Sequence, residues 1–149
     1  MIGRVHRITG HHGQYRELSM QRNMFKSKIH RATVTESNVD YEGSVTVDED
    51  LLDLADMVPW EQVHIWDVDN GARLTTYLLA GPRGKGTVCV NGAAAHLVKP
   101  GHRVILATFA NIDESKVRNY HPKVVLVDKN NQPFETDHQE QPFRLSVSA

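Results

Sequence analysis

From Met24 onward the chain is cut into short apolar and β-branched runs separated by turn residues, a pattern that buries its apolar faces only by pairing strands. The expected fold is therefore mainly β, with strands at Ala32–Glu36, Ser44–Asp48, Gln62–Val68, Arg73–Ala80, Thr87–Val90, Arg103–Ala110 and Lys123–Asp128. Between the third and fourth of these lies Asp69-Asn70-Gly71, where Asn-Gly can supply the positive φ angles of a tight hairpin.

Short helices interrupt the strands. Asp48 can cap a turn and a half reaching Met57, closed by Pro59, whose Leu51, Leu52, Leu54 and Ala55 would cover one end of a barrel. In VNGAAAHLVKPG, Asn91 is the N-cap candidate, Ala93, Ala94 and Ala95 are strong helix formers, and Pro100-Gly101 ends the segment. A first turn with no bulky side chains leaves its backbone N–H groups open to a carboxylate. The plainer reading is that Gly92 to Ala95 packs tightly against a neighbouring strand.

With 149 residues the chain suits one domain, and its net charge of -1 offers no basic excess for a nucleic acid or an acidic membrane. Aromatic residues, at 7%, are too sparse for a base-stacking platform. Cys89 is the single cysteine, so no internal disulfide can form and a reducing, cytoplasmic setting is expected. No apolar run approaches the ~18 residues of a spanning helix, and no secretory signal core opens the chain. Residues 1–19 mix His, Arg and Gly without a period and read as a loosely ordered extension, which makes Met20 a second candidate start; residues 134–149 read as a C-terminal tail. His11-His12 lacks further ligands, and His64, His96, His102, His121 and His138 show no zinc spacing, so no metal site is expected.

Several side chains could carry chemistry. On a strand, Arg73, Thr75 and Tyr77 share one face and Thr76 takes the other. An arginine fork matches a carboxylate, and a phenol with a pKa near ~10 can protonate a strong carbon base. Taken singly, Arg73 is as well explained as a surface charge, Tyr77 as a packed aromatic, and Trp66 as a core residue or a pocket wall. Lys28 and His30, two residues apart, project from one face of an extended segment. Gly43-Ser44, inside DYEGSVTVDED, is either an ordinary turn or a peptide bond that the protein breaks.

The blocks KSKIHRATVT, DYEGSVTVD, DNGARLTTY, VNGAAAHLVKPG and PKVVLVD occur in one order across residues 20–133, and together they resemble the pyruvoyl-dependent aspartate 1-decarboxylase family. The resemblance implies a double-psi β-barrel assembled as a homotetramer, with active sites between subunits. It implies self-cleavage at Gly43-Ser44 that turns Ser44 into a covalent pyruvoyl group, with no pyridoxal phosphate and no metal. The substrate would be L-aspartate and the product β-alanine, a precursor for pantothenate. By resemblance Tyr77 is the proton donor, while Arg73, Thr76, Lys28, Gly92, Ala93 and Ala94 bind substrate. Thr76 also positions the Gly43 carbonyl, His30, Tyr41, Trp66 and Asn91 are supporting candidates, and a maturation partner is compatible with the pattern. The alternative is a non-catalytic barrel in which Gly43-Ser44 is an uncleaved turn.

Overall fold

The structure is a computed structural model and describes residues 19–141; apart from Ser19, the extension expected at residues 1–19, including His11-His12, lies outside the described residues. Among the described residues nine strands run in the order β1 Gln21–Thr33, β2 Glu36–Asn38, β3 Val45–Asp48, β4 Gln62–Asp67, β5 Arg73–Gly81, β6 Val88–Asn91, β7 Arg103–Asp113, β8 Lys123–Val127 and β9 Pro133–Glu135. They join laterally as β2-β6-β3-β5-β4-β7-β1-β8-β9. Three pairs are parallel (β1 with β8, β2 with β6, β3 with β5), and the other five are antiparallel. Backbone bonds from Thr35 N–H to Val88 O and from Val34 N–H to His102 O tie the end of β1 to β6 and to the start of β7. The sheet thereby wraps around one core, as expected for a mainly β barrel with short helices.

That core is built from the alternation the sequence displays. Val45 and Val47 of β3, Ile65 of β4, Leu78 of β5, Val88 and Val90 of β6, Leu106 of β7 and Val125 of β8 all point inward and are fully buried. Helix α1, Glu49–Leu54, closes one end with Leu51 and Leu52. It stops earlier than the expected Met57, because Asp56 takes a left-handed φ of 52° that no helix continues.

Three other expectations need correction. The first strand begins at Gln21, not Ala32: the polar stretch QRNMFKSK looks like loop by composition, but it is laddered antiparallel along β7 from Gln21 opposite Asp113. Arg31, with a φ of 62°, forms an irregularity between Ile29 and Ala32 that bends the strand. The β4–β5 connection is not a two-residue turn, since Gly71 alone within Asp69-Asn70-Gly71 takes a positive φ. Asp67 receives the N–H groups of Asp69 and Asn70 on its carboxylate and that of Gly71 on its carbonyl, making a wider loop. Finally, the first residues of the expected C-terminal tail form β9, paired antiparallel to β8.

Asp48 joins the local elements. Its buried carboxylate accepts from Asp50 N–H (2.9 Å) as the cap of α1, and from Gly84 N–H (3.1 Å) and Gly86 N–H (2.6 Å) in the loop before β6. Asn131, buried with a φ of 59°, binds Thr33 through both its backbone groups and Gly86 through its carbonyl, locking the same loop to the end of β1. No helix among the described residues is long and apolar enough to cross a membrane. Removing the Asp48 acceptors orphans three N–H groups, so Asp48→Ala is expected to destabilise the fold by about 2–4 kcal/mol, read as a lower urea midpoint. Asp48→Asn, which keeps one oxygen, should lose less.

Candidate active site

Ser44 immediately precedes β3 and is fully buried. Its hydroxyl donates to the carbonyl of Glu42 at 3.3 Å and accepts from the side-chain amide of Asn91 at 3.2 Å, while Asn91 N–H holds the Ser44 carbonyl at 2.8 Å. The same amide also donates to Thr46 Oγ1 at 3.3 Å, and the Cys89 thiol donates to Asn91 Oδ1 at 3.3 Å. Asn91 is therefore not the helix cap expected from its position: its side chain makes no capping bond and is committed to Ser44 and Thr46 instead. Burial, reinforced by the nearby Glu36 carboxylate, pushes the Cys89 thiol up from its ordinary pKa and keeps it a donor.

The segment after Asn91 is a 3₁₀ helix, Gly92–His96, shorter and tighter than the expected α-helix. Gly92 has a φ of 68°, and a Cβ there would lie 2.5 Å from Gly43 Cα and 2.8 Å from Gly43 N. Glycine is required twice over, for the left-handed backbone and for the approach of two chains. Gly43 itself is exposed with open space where a side chain would project.

A cavity of about 360 Å³ lies beside this contact, lined by Gly43, Leu74, Thr75, Thr76, Asn91, Ala93, Ala94 and Leu97. The structure thus brings together Gly43, Thr76, Asn91, Ala93 and Ala94 from the sequence expectations, with Ser44 bonded to Asn91 at the edge. A larger cavity of about 420 Å³ lies across Asn91, between Tyr41, Thr46, Cys89 and Glu36, but Gly43 does not line it. Of these two, only the smaller opens on the candidate scissile residue.

Arg73 and Tyr77 are not in that cavity. They occupy the outward face of β5, as the period of two requires: the Arg73 guanidinium lies 4.4 Å from the Trp66 ring centre, and Tyr77 stacks on Trp60 at 5.7 Å. His64, bonded to Thr75 at 3.3 Å and edge-on to Phe109 at 5.1 Å, continues an aromatic stripe across β4 and β7. Phe25 extends it to β1, with Lys28 Nζ 5.9 Å from its ring centre. Lys28 is also ion-paired with Glu140. Thr75 connects the two regions, lining the cavity while binding His64. Trp60, Thr46 and Cys89 escaped the sequence reading; only the unusual placement of a tryptophan after Pro59 in a turn could have flagged the first.

His30 lies two residues from Lys28 on β1, with Nδ1 buried and without a hydrogen-bond partner among the described residues. Burial above all, then the charges of Lys28 and Arg31, lowers its pKa, against the opposing pull of Glu140. The unfolded chain accordingly binds a proton that the folded chain refuses. Stability is expected to fall as pH drops below the unfolded-state value of about 6.5 and to level off below the folded-state pKa. His30→Gln should flatten that limb in thermal melts taken across pH 5–7, a range set by the ordinary histidine pKa of about 6.5.

The sequence model of the aspartate decarboxylase family matches residues 20–134. The chain is similar to the aspartate 1-decarboxylase of Myxococcus xanthus (strain DK1622), 60% identical over 112 residues that cover 75% of this chain and 86% of that protein. The family match spans β1 to the start of β9 and includes the Ser44 clasp, the cavity and the outer stripe. The chain belongs to the aspartate decarboxylase family and is a decarboxylase.

Proposed function

We propose that the chain cleaves itself between Gly43 and Ser44, converts Ser44 to a pyruvoyl group, and decarboxylates L-aspartate to β-alanine for pantothenate synthesis. The observation that carries this reading is the Ser44 hydroxyl, buried and held by Asn91, next to a glycine that lines a cavity. A serine that only turned the chain would need neither the burial nor the amide.

In the first step Ser44 Oγ attacks the Gly43 carbonyl carbon, its proton passing to the departing Ser44 nitrogen, so that the amide becomes an ester. Asn91 holds the oxygen in place, and Thr76, on the cavity wall, steadies the Gly43 carbonyl as it gains negative charge. Loss of the Ser44 α-proton then expels the Gly43 carboxylate and leaves a dehydroalanine. Water replaces its nitrogen, ammonia departs, and the new chain begins with a ketone. The residues fit such a group: Ser44 is held by Asn91, and the cavity next to it is lined by Gly43, Ala93 and Ala94, small residues that leave room for a substrate.

The pyruvoyl group supplies an electrophilic sink for the electron pair left when CO₂ departs. The remaining work falls to ordinary side chains. Arg73 takes the side-chain carboxylate that stays with the product, since a cation clamped on the departing carboxylate would stabilise the charge to be lost. Lys28 is the second cationic contact, reached by displacing Glu140. Gly92, Ala93 and Ala94 bind the substrate through backbone groups, and Tyr77 delivers the proton to the carbon that lost CO₂. His30, Tyr41 and Trp66 support this arrangement. Arg73, Tyr77 and Lys28 face outward from the chain that holds the cavity, which favours a homotetramer in which neighbouring chains complete each site. A maturation partner that assists cleavage fits the same scheme, in a cytoplasmic setting.

Intact-mass spectrometry tests the reading. The purified protein should give two fragments divided at 43/44, the larger lacking a free N-terminal amine, and Ser44→Ala should stay whole and release no CO₂ from aspartate. Cleavage of that variant at the same bond would refute Ser44 as nucleophile.

A further inference from the structure

Trp60 stands apart from the rest of the barrel. It is 73% exposed, yet its backbone takes a φ of 72°, a region that costs a bulky aromatic residue stability and suits glycine or asparagine. Burial does not explain a tryptophan here. The strained conformation is held from both sides: Trp60 N–H donates to Leu78 O at 2.8 Å, and Leu78 N–H donates to Glu61 O at 3.0 Å, so that residues 60 and 61 extend the β4–β5 ladder. Glu61 also accepts from Val58 N–H at 3.0 Å and pairs with Lys26 at 2.7 Å, closing the turn around Pro59. The result of all this is one contact: the indole lies on the Tyr77 ring at 5.7 Å with the planes 19° apart.

We infer that Trp60 is a positioning residue for Tyr77, a fixed plate that sets the plane of the phenol from which the proton is delivered. The inference rests on the role given to Tyr77 above. Tyr77 projects from the outward face of β5 with Arg73 and Thr75, where an unsupported phenol would rotate freely about its side-chain bonds. Stacking on an indole anchored through its own backbone restricts the ring and, with it, the arc on which the hydroxyl lies. An aromatic pair of this kind is strong enough to change the population of a rotamer by roughly two- to tenfold. Loss of the plate should therefore appear in the catalytic step and not in folding or processing.

Trp60→Gly is the informative variant, because glycine relieves the left-handed backbone while deleting the stack. Self-cleavage and thermal midpoint should be unchanged or, for the midpoint, higher, and KM for aspartate should hold. kcat should fall roughly two- to tenfold, by the population argument above. Trp60→Asn, which tolerates the same φ and cannot stack in this way, guards against a loop made too flexible by glycine and should behave alike. Trp60→Phe should recover most of the lost kcat. Wild-type kcat in both the Gly and Asn variants, a loss that tracks a fall in midpoint, or no recovery with Phe would overturn the inference. Tyr77→Phe, measured alongside, separates the two levels. If it decarboxylates at the wild-type rate, the role of Tyr77 falls and the inference with it; if it is inactive while the Trp60 variants are not impaired, the stack alone is refuted.

Discussion

Strand β3 is four residues long, and both of its ends are gripped by side chains from elsewhere in the chain. At the start, Asn91 holds the Ser44 hydroxyl and carbonyl; at the finish, the Asp48 carboxylate gathers the N–H groups of Asp50, Gly84 and Gly86. Between them Val45 and Val47 are fully buried, so the strand can neither slide nor rotate without exposing core or orphaning polar groups. A one-residue slip would turn the valines outward and carry Ser44 away from Asn91. The register of β3 between β5 and β6 is what makes the serine a defined chemical position and not a point in a loop.

The rest of the site divides by the pleat of β5. Thr76 points to the cavity beside Gly43, whereas Arg73 and Tyr77 point outward onto an aromatic stripe. Each outward group already has a partner that keeps it extended: Trp66 under Arg73, Trp60 against Tyr77, and Glu140 on Lys28. A guanidinium over an indole loses less hydration than a buried ion pair and stays available to a carboxylate. One strand thus serves two surfaces, and the proposed site needs both of them brought together.

Three left-handed backbone positions lie at these surfaces, while Asp56 and Asn131 adopt the same region elsewhere in the fold. Gly92 takes a left-handed backbone where it meets Gly43, Arg31 where β1 bends just past Lys28 and His30, and Trp60 where it meets Tyr77. In the first case glycine removes the cost; in the other two a larger residue bears it, and the surrounding hydrogen bonds maintain the conformation.

Alternation and turn chemistry were enough to locate most strands, the α1 cap at Asp48 and the opposite facing of Thr76 from Arg73 and Tyr77, because those properties follow from two-residue periodicity and short-range hydrogen bonding. The ordered blocks around Gly43-Ser44 and Asn91 were enough to indicate the family. Nothing local announced that QRNMFKSK would become strand, since its order comes from β7, far away in sequence; nor that Asn91 would abandon the role of cap, since its partner Ser44 is brought to it only by the pairing of β3 with β6. The chain by itself determined which residue types are present and how each strand faces. Tertiary structure alone decided which of them meet, because a hydroxyl, an amide and a glycine distant along the backbone acquire chemistry only when the closed barrel sets them within hydrogen-bond reach.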